Sequence, residues 1–196
     1  MGKKAIIWFS VIIALVLLLP FLWGTYNRLI KREEAVKMAW SQVENQYQRR
    51  ADLIPNLVET VKGYAAHEQE TFTRVVEARA KATQLTVDPE NLDSESLQQF
   101  QNAQKELSQA LGRLLAVVEN YPDLKANENF IMLQGQLEGT ENRIAIERKR
   151  FNETVNIYNT FRRRFPRNLV AALFGFGKKE YFEADADSNA APDVQF

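Results

Sequence analysis

Cysteine is absent from the 196 residues, and histidine occurs once, at His67. Without cysteine there is no disulfide framework, no thiolate nucleophile and no sulfur-ligated metal, and the redox compartment stays open. A single histidine cannot build a zinc helix motif or a di-metal carboxylate site in a bundle, both of which need two. His67-Glu68 starts as such a zinc motif does, but Thr71 stands where the second histidine belongs, so His67 is read as a solvated residue. Phosphate-binding and nucleophile-elbow patterns (GxxxxGK, GxGxxG after a strand, GxSxG) are missing too. So is an excess of charge of either sign: 25 basic and 25 acidic side chains leave a formal net charge of zero. No global field draws this chain to nucleic acid, which is not expected as a partner. The carboxylates at Glu33-Glu34 and at Glu138 with Glu141 are read as solvated faces or interhelical ion pairs. No catalytic residue, cofactor or metal is expected, and the chain is not expected to be an enzyme.

What is present begins with an apolar run. Residues 5–23, AIIWFSVIIALVLLLPFLW, carry no charge, and as a helix they reach about 28 Å, close to the roughly 30 Å hydrocarbon core of a bilayer. Trp8 at one end and Trp23 with Tyr26 at the other suit the interfacial layers. Phe21, Leu22 and Trp23 offer no small-residue cleavage site, so residues 1–25 are expected to form an uncleaved single-pass anchor. Flanking charge pulls two ways. Lys3 and Lys4 favour a cytoplasmic amino terminus, whereas Arg28, Lys31, Arg32 and Lys37 favour a cytoplasmic domain.

Beyond the anchor, large or apolar residues recur three and four apart: Val36, Trp40, Val43, Tyr47, Ile54, Leu57, Val61 and Tyr64. This heptad seam marks a helix packed along one face. Arg50 interrupts the seam and Pro55 lies within it. Because proline removes a backbone donor and favours the first helical turn, the expectation is a turn at 52–54 with Pro55 opening a second helix, and Gly63 as the rival break. Leu97, Phe100, Leu107, Leu111, Leu114 and Val118 stripe a third helix behind an Asp93 cap. Phe130, Leu133, Leu137, Ile144, Phe151, Tyr158, Phe161 and Phe165 stripe a fourth behind an Asn127 cap. No stretch alternates as a strand does. The fold expected is therefore all-α: the anchor, then an antiparallel four-helix bundle over 26–166, with helices at 24–54, 55–83, 93–120 and 127–165. Arg50 and Glu147 are polar seam residues that must pair, with each other or with a neighbour, or snorkel to water.

An even number of helices returns the chain to the membrane. There the sequence supplies Arg162, Arg163, Arg164, Arg167, Lys178 and Lys179 around Phe165, Leu169, Val170, Leu173, Phe174 and Phe176. The basic and aromatic tail, 167–179 with the arginines before it, is the candidate contact with anionic lipid, through Phe174 and Phe176 as well as the cations. The rival reading has the apolar residues capping the open end of the bundle and the arginines solvated. Residues 180–196 carry acidic side chains and no lysine or arginine, and are expected to be disordered.

The run YNRLIKREEAVKMAWSQVENQYQRRADLIPNLVETVKGYAAHEQETFTRVVEARAKA at 26–82 resembles the LemA family of bacterial membrane proteins. So do ENYPDLKANENFIMLQGQLEGTENRIAIERKRFNETVNIYNTFRRRFP at 119–166 and the closing FGF and YFEA. The resemblance implies one amino-terminal membrane segment and an antiparallel four-helix bundle. It implies no reaction, and no catalytic residue is carried over. Some relatives look like lipoproteins with a lipid-bearing cysteine before the equivalent of Tyr26-Asn27. Here Gly24-Thr25 stand there, and the helix serves as the anchor. Export of such relatives implies a bundle outside the cytoplasm, on the bacterial inner membrane. The function expected is a non-enzymatic, membrane-tethered scaffold of the cell envelope that binds partner proteins, lipid headgroups or both. Long seams also admit a homo-oligomer. The alternatives are an adaptor for a membrane protease or other envelope enzyme and, more remotely, a carboxylate-dependent hydrolase.

Overall fold

The computed structural model describes residues 2–90 and 92–183, and within α1 the side chains at 3, 5, 6, 10, 11, 14 and 15 lie outside that description. Its helices are α1 (Lys3–Lys62), α2 (Gln69–Gln84), α3 (Ser94–Val118), α4 (Pro122–Lys125), α5 (Glu128–Arg163) and α6 (Arg167–Leu173). The described residues contain no strand, and the chain is all-α. Two caps act as their local chemistry dictates. The Asp93 carboxylate accepts from the Ser96 N–H at 2.8 Å and the Asn127 side-chain Oδ1 accepts from the Phe130 N–H at 3.1 Å, each meeting a donor the helix leaves orphaned. The Ser96 backbone and hydroxyl donors hold the Asp93 carboxyl below the usual carboxylate range.

The turn expected before Pro55 is not there. α1 runs through it as one helix of 60 residues, and the chain reverses at 63–68 instead, after Gly63. The reason is tertiary. Proline cannot bond the carbonyl four residues back, which here belongs to Ala51, and Arg79 on α2 donates its Nε to that oxygen at 2.7 Å. A donor from the next helix thus fills the gap that would otherwise break α1. Moving the reversal to Gly63 leaves its parity unchanged, so α2 still runs back alongside α1.

Contacts set the register. α5 runs antiparallel to α1, from Asn127 at Tyr64 through Glu141 at Arg50 and Phe151 at Trp40 to Phe161 near Leu29. α3 runs parallel to α1, with Phe100 at Trp40 and with Gln104 and Ser108 at Arg50. α2 joins α3 through Lys81 and Glu106, 2.7 Å apart.

In the upper half, α1, α2, α3 and α5 share one core, represented by Leu57, Phe72, Leu111 and Leu133, with Leu124 of α4 closing the end. In the lower half α2 has ended. Val87 and Leu92 of the extended connector and Phe182 of the tail fill its place beside Trp40, Phe100, Phe151 and Tyr158. A four-helix bundle over 26–166 was expected; the lower half is instead built from three helices and two extended segments. Lys37 ties the connector to α1 through Glu34 and Glu90, both at 2.9 Å, and these bonds raise its ammonium pKa above the ordinary lysine range. The stretch expected to be disordered needs a correction at 180–183: Phe182 is 4 % exposed and lies in the lower core. Residues 184–196 lie outside the described residues.

Among the described residues no helix is long and apolar enough to cross a membrane. Trp8, Phe9, Ile12, Leu17, Leu19 and Trp23 on the first part of α1 are each more than half exposed.

The Pro55–Arg79 pairing predicts a coupled mutant cycle. Arg79→Ala alone is expected to cost about 1.5–3 kcal/mol, the range for a charge-assisted hydrogen bond. In a Pro55→Ala background, where a backbone N–H again meets Ala51, the cost should shrink to less than half. Equal losses in both backgrounds, measured by urea unfolding, would show that Arg79 does not serve the gap left by the proline.

Candidate functional site

The lower end of the molecule brings α6, the carboxyl end of α5 and residues 22–33 of α1 together. Val170 and Ala171 on α6 face inward against Leu29 and Phe161, with Phe176 beside them. The rest of α6 is turned out. Leu169 is 60 % exposed and Leu173 71 %, and Phe165, just ahead of the helix, is 80 % exposed. Leu169 and Leu173, one turn apart on α6, form an apolar stripe. Phe165, expected on the buried stripe of the fourth helix, instead lies beyond the end of α5 at Arg163 and is open beside that stripe. Phe174 is half exposed and packs its ring against Tyr26 at 4.9 Å, while Phe176 meets the same tyrosine edge-on at 5.7 Å. Arg32 and Arg167 place their guanidinium groups 4.5 and 4.3 Å from the centre of the Phe161 ring, where the ring quadrupole attracts a cation.

The basic and aromatic residues singled out in the sequence divide into inner and outer sets. Arg162 donates Nε to the Phe176 carbonyl at 2.7 Å. Phe176 is buried, and Lys179 is 4 % exposed, in an ion pair with Glu33 at 3.0 Å and a hydrogen bond to the Glu90 carbonyl. Those three hold the site together: Phe176 and Lys179 are buried and Arg162 is half-buried. Arg163, Arg164 and Lys178 are exposed, Lys178 beside Glu180 at 2.9 Å, and Arg167 is half-buried. The outward apolar stripe is the part that residue type alone understated. Its spacing was legible, but only the packing of Val170 and Ala171 shows which side faces out.

Burial governs the one phenol buried in this region. Tyr158 donates to the Gly177 carbonyl at 2.9 Å, and desolvation, with the Glu33 charge nearby, pushes its pKa up to about 12.

The polar seam residues do not pair with each other. Arg50, 1 % exposed, donates Nη1 to Glu141 at 2.6 Å and to Ser108 at 3.0 Å, and Nη2 to the Gln104 side chain. Glu147 bonds Arg150 one turn on, at 2.9 Å. A groove of about 430 Å³ opens beside Arg50 between α3 and α5. Its polar lining carries no nucleophile–base pair. His67 is exposed, and among the described residues no group of three histidine, cysteine or acidic side chains is placed to hold a metal. The lower end is therefore the site with a distinct physical character, an apolar stripe flanked by cations beside the apolar start of α1.

The model of the LemA family matches residues 39–196, from the middle of α1 to the end of the chain. The chain belongs to the LemA family. Magnetosome protein MamQ 2 of Paramagnetospirillum magneticum is 28 % identical over 189 residues, covering 88 % of this LemA-family chain and 70 % of the relative. Magnetosome protein MamQ of Magnetospirillum gryphiswaldense is 27 % identical over 188 residues, covering 87 % and 69 %. Protein LemA of Metamycoplasma hominis is 23 % identical over 164 residues, covering 82 % and 70 %. Neither the LemA family description nor these names specifies a reaction.

Tyr158 carries a pH prediction for this LemA-family protein. Its folded pKa lies above the unfolded value of about 10, so its contribution is complete below about pH 10 and is lost as pH rises towards about 12. In a titration of tyrosinate absorbance Tyr158 should give a late component, and Tyr158→Phe should delete that component and lower stability by about 1 kcal/mol. Simultaneous ionisation of all six tyrosines in the folded protein would contradict the burial.

Proposed function

We propose that this LemA-family chain is a membrane-tethered, non-enzymatic scaffold of the bacterial cell envelope, held by residues 5–23 as a single transmembrane helix. Its antiparallel four-helix bundle stands outside the cytoplasm on the inner membrane, with α6 as a foot on the lipid surface. The supporting observation is that, Met38 apart, the described large apolar side chains that are 60 % or more exposed all lie in residues 7–23 or 165–173. Trp8 and Phe9 are consecutive, about 100° apart around α1, and both are open; with Ile12, Leu17 and Trp23 they spread over several faces. A helix apolar on several faces is at home in a hydrocarbon environment or a protein interior. α6 packs against residues 22–29 of α1, where that run ends, with its stripe outward. A bilayer spanned by residues 5–23 would meet Phe165, Leu169 and Leu173 at headgroup depth, with Arg163 and Arg164 beside the phosphates. Each basic residue there contributes about 1 kcal/mol with anionic lipid.

The foot is tested on a chain beginning at Gly24, floated with liposomes containing phosphatidylglycerol. Binding is expected, and Arg163→Glu with Arg164→Glu should weaken it by roughly 30-fold or more, given two favourable cations removed. Leu169→Glu with Leu173→Glu should abolish it without unfolding, since both side chains already face water. Flotation unchanged by either pair would eliminate the foot.

Orientation is tested separately in cells with Gln98→Cys, an exposed position in a sequence otherwise free of cysteine. Labelling by an impermeant maleimide before inner-membrane lysis is the outcome expected for a bundle outside the cytoplasm. Labelling only after lysis reverses the orientation.

A further inference from the structure

α5 does more than pair with α1. Along the extended residues 176–183 it presents Arg162, Asn159, Tyr158, Asn152 and Arg148, and each bonds a main-chain atom of that segment. Arg162 and Tyr158 donate to the carbonyls of Phe176 and Gly177, and Arg148 donates Nη2 to the carbonyl of Glu183 at 2.9 Å. The asparagines each bond twice. Asn159 accepts from the Lys179 N–H at 3.1 Å and donates to the Lys179 carbonyl at 2.8 Å. Asn152 accepts from the Phe182 N–H at 2.9 Å and donates to the Phe182 carbonyl at 3.0 Å. A carboxamide that takes both main-chain groups of one residue does the work of a neighbouring strand in a sheet. The spacing matches. Asparagines seven apart on a helix are separated by about 10.5 Å, and three residues of extended chain cover roughly 9–10 Å.

Because the main chain carries these bonds, sequence enters through two side chains. Lys179 reaches Glu33 and the Glu90 carbonyl. Phe182 stacks on Trp40 at 5.7 Å and 14°, and meets Phe151 edge-on at 5.3 Å. Glu180 and Tyr181 between them are partly exposed. The groove selects an extended chain with lysine and, three residues on, phenylalanine.

We propose that this α1–α5 groove is a peptide-docking site whose second occupant is residues 176–183 of another copy of the chain, exchanged reciprocally between two molecules. A second copy supplies the full recognised chemistry: Lys179, Phe182 and the intervening backbone. Reciprocal exchange closes a two-fold dimer and conserves every contact, so its free energy depends on concentration and on the hinge. The link is short and glycine-bearing: Gly175 has φ +76° and Gly177 follows. Between them the Phe176 N–H bonds the Ala171 carbonyl at 2.9 Å and its ring is buried against α1 and α5, so the exchange must keep or re-form those contacts. The exchange is argued from these groove bonds and does not rest on the lipid contact proposed above.

The test uses full-length chains with one cysteine each, Asn156→Cys in the groove or Tyr181→Cys on the tail, produced together and treated with a short bis-maleimide. Both residues line the cavity beside the docked segment. A single chain carrying both cysteines is expected to cross-link internally, which reports docking within one molecule. The mixed pair is expected to give 156–181 dimers. Asn152→Ala with Asn159→Ala in the groove-bearing copy should cut these dimers roughly tenfold. The same pair in the tail-bearing copy should raise them, because that tail is freed from its own groove. Internal cross-linking without mixed dimers would overturn the exchange, as would dimers indifferent to which copy carries the alanines. Failure of the doubly substituted chain to cross-link would overturn the groove itself.

Discussion

Three separate parts of the chain converge on the indole of Trp40 in α1. The side chain is 1 % exposed; the Phe100 ring of α3 lies 5.4 Å away, the Phe151 ring of α5 5.7 Å away, and the Phe182 ring of the tail stacks on it. An aromatic side chain buries about 150–250 Å², so each member of such a cluster contributes several kcal/mol of apolar burial. The lower core therefore depends on contacts between segments as distant in sequence as α1 and residue 182. Helix propensity can make α1 and α5, but this cluster, with the α5 bonds to the tail main chain, tells them where to meet the tail. It also explains why the lower half holds without a fourth helix. Val87, Leu92 and Phe182 together present the apolar surface that another helix would otherwise supply.

Apolar seams alone hold register loosely, since one leucine replaces another a turn away. The polar pins fix it. Arg50 sits where the two cores meet, with its guanidinium bonded to α3 through Gln104 and Ser108 and to α5 through Glu141. Desolvating a guanidinium costs several kcal/mol, which its partners offset only in one geometry; sliding α3 or α5 by a turn would strand the charge. The Glu141 carboxylate side chain is 43 % exposed, so it keeps some hydration and lowers the cost of the pair. Such a network adds little net stability and much discrimination between registers. The Arg79 bond to Ala51 acts similarly, fixing α2 against the one carbonyl in α1 that Pro55 leaves open.

These features separate what the sequence shows from what it conceals. Helix seams and the Asp93 and Asn127 caps are legible because periodicity and capping operate within a few residues. The misplaced turn at Pro55 came from a local rule applied where a donor 28 positions away in sequence decides the outcome. Pairing Arg50 with Glu147 failed because the choice between Glu141 and Glu147 needs the α1–α5 register, which no local pattern contains. The docked tail is concealed for another reason. Asn152, Asn159, Tyr158 and Arg162 read main-chain atoms, and a main chain has no sequence signature; Phe182 was averaged into an acidic stretch whose composition describes its neighbours better than itself. Phe165 was expected on the buried stripe of the fourth helix, but α5 ends two residues before it and it is exposed; the outward face of Leu169 and Leu173 became meaningful only once Val170 and Ala171 were seen facing the other way.

The foot and the docked tail are joined through a helix too short to stand alone. α6 has seven residues and no side-chain cap at its start, and a helix of that length is unstable in water without tertiary contacts. Its inward contacts are Val170 and Ala171, with Phe176 completing the same cluster. Phe176 is held by the Arg162 bond to its own carbonyl, and the next residue by Tyr158. Lifting 177–183 from α5 would remove the Gly177, Lys179 and Phe182 contacts and leave Phe176 held by its packing and by its bonds to Arg162 and to the Ala171 carbonyl. The order of α6 and the docking of the tail therefore stabilise each other, whichever molecule the tail comes from. Whatever the outer stripe of α6 meets is thermodynamically linked to the groove beside Trp40, because both draw on the same short stretch of backbone.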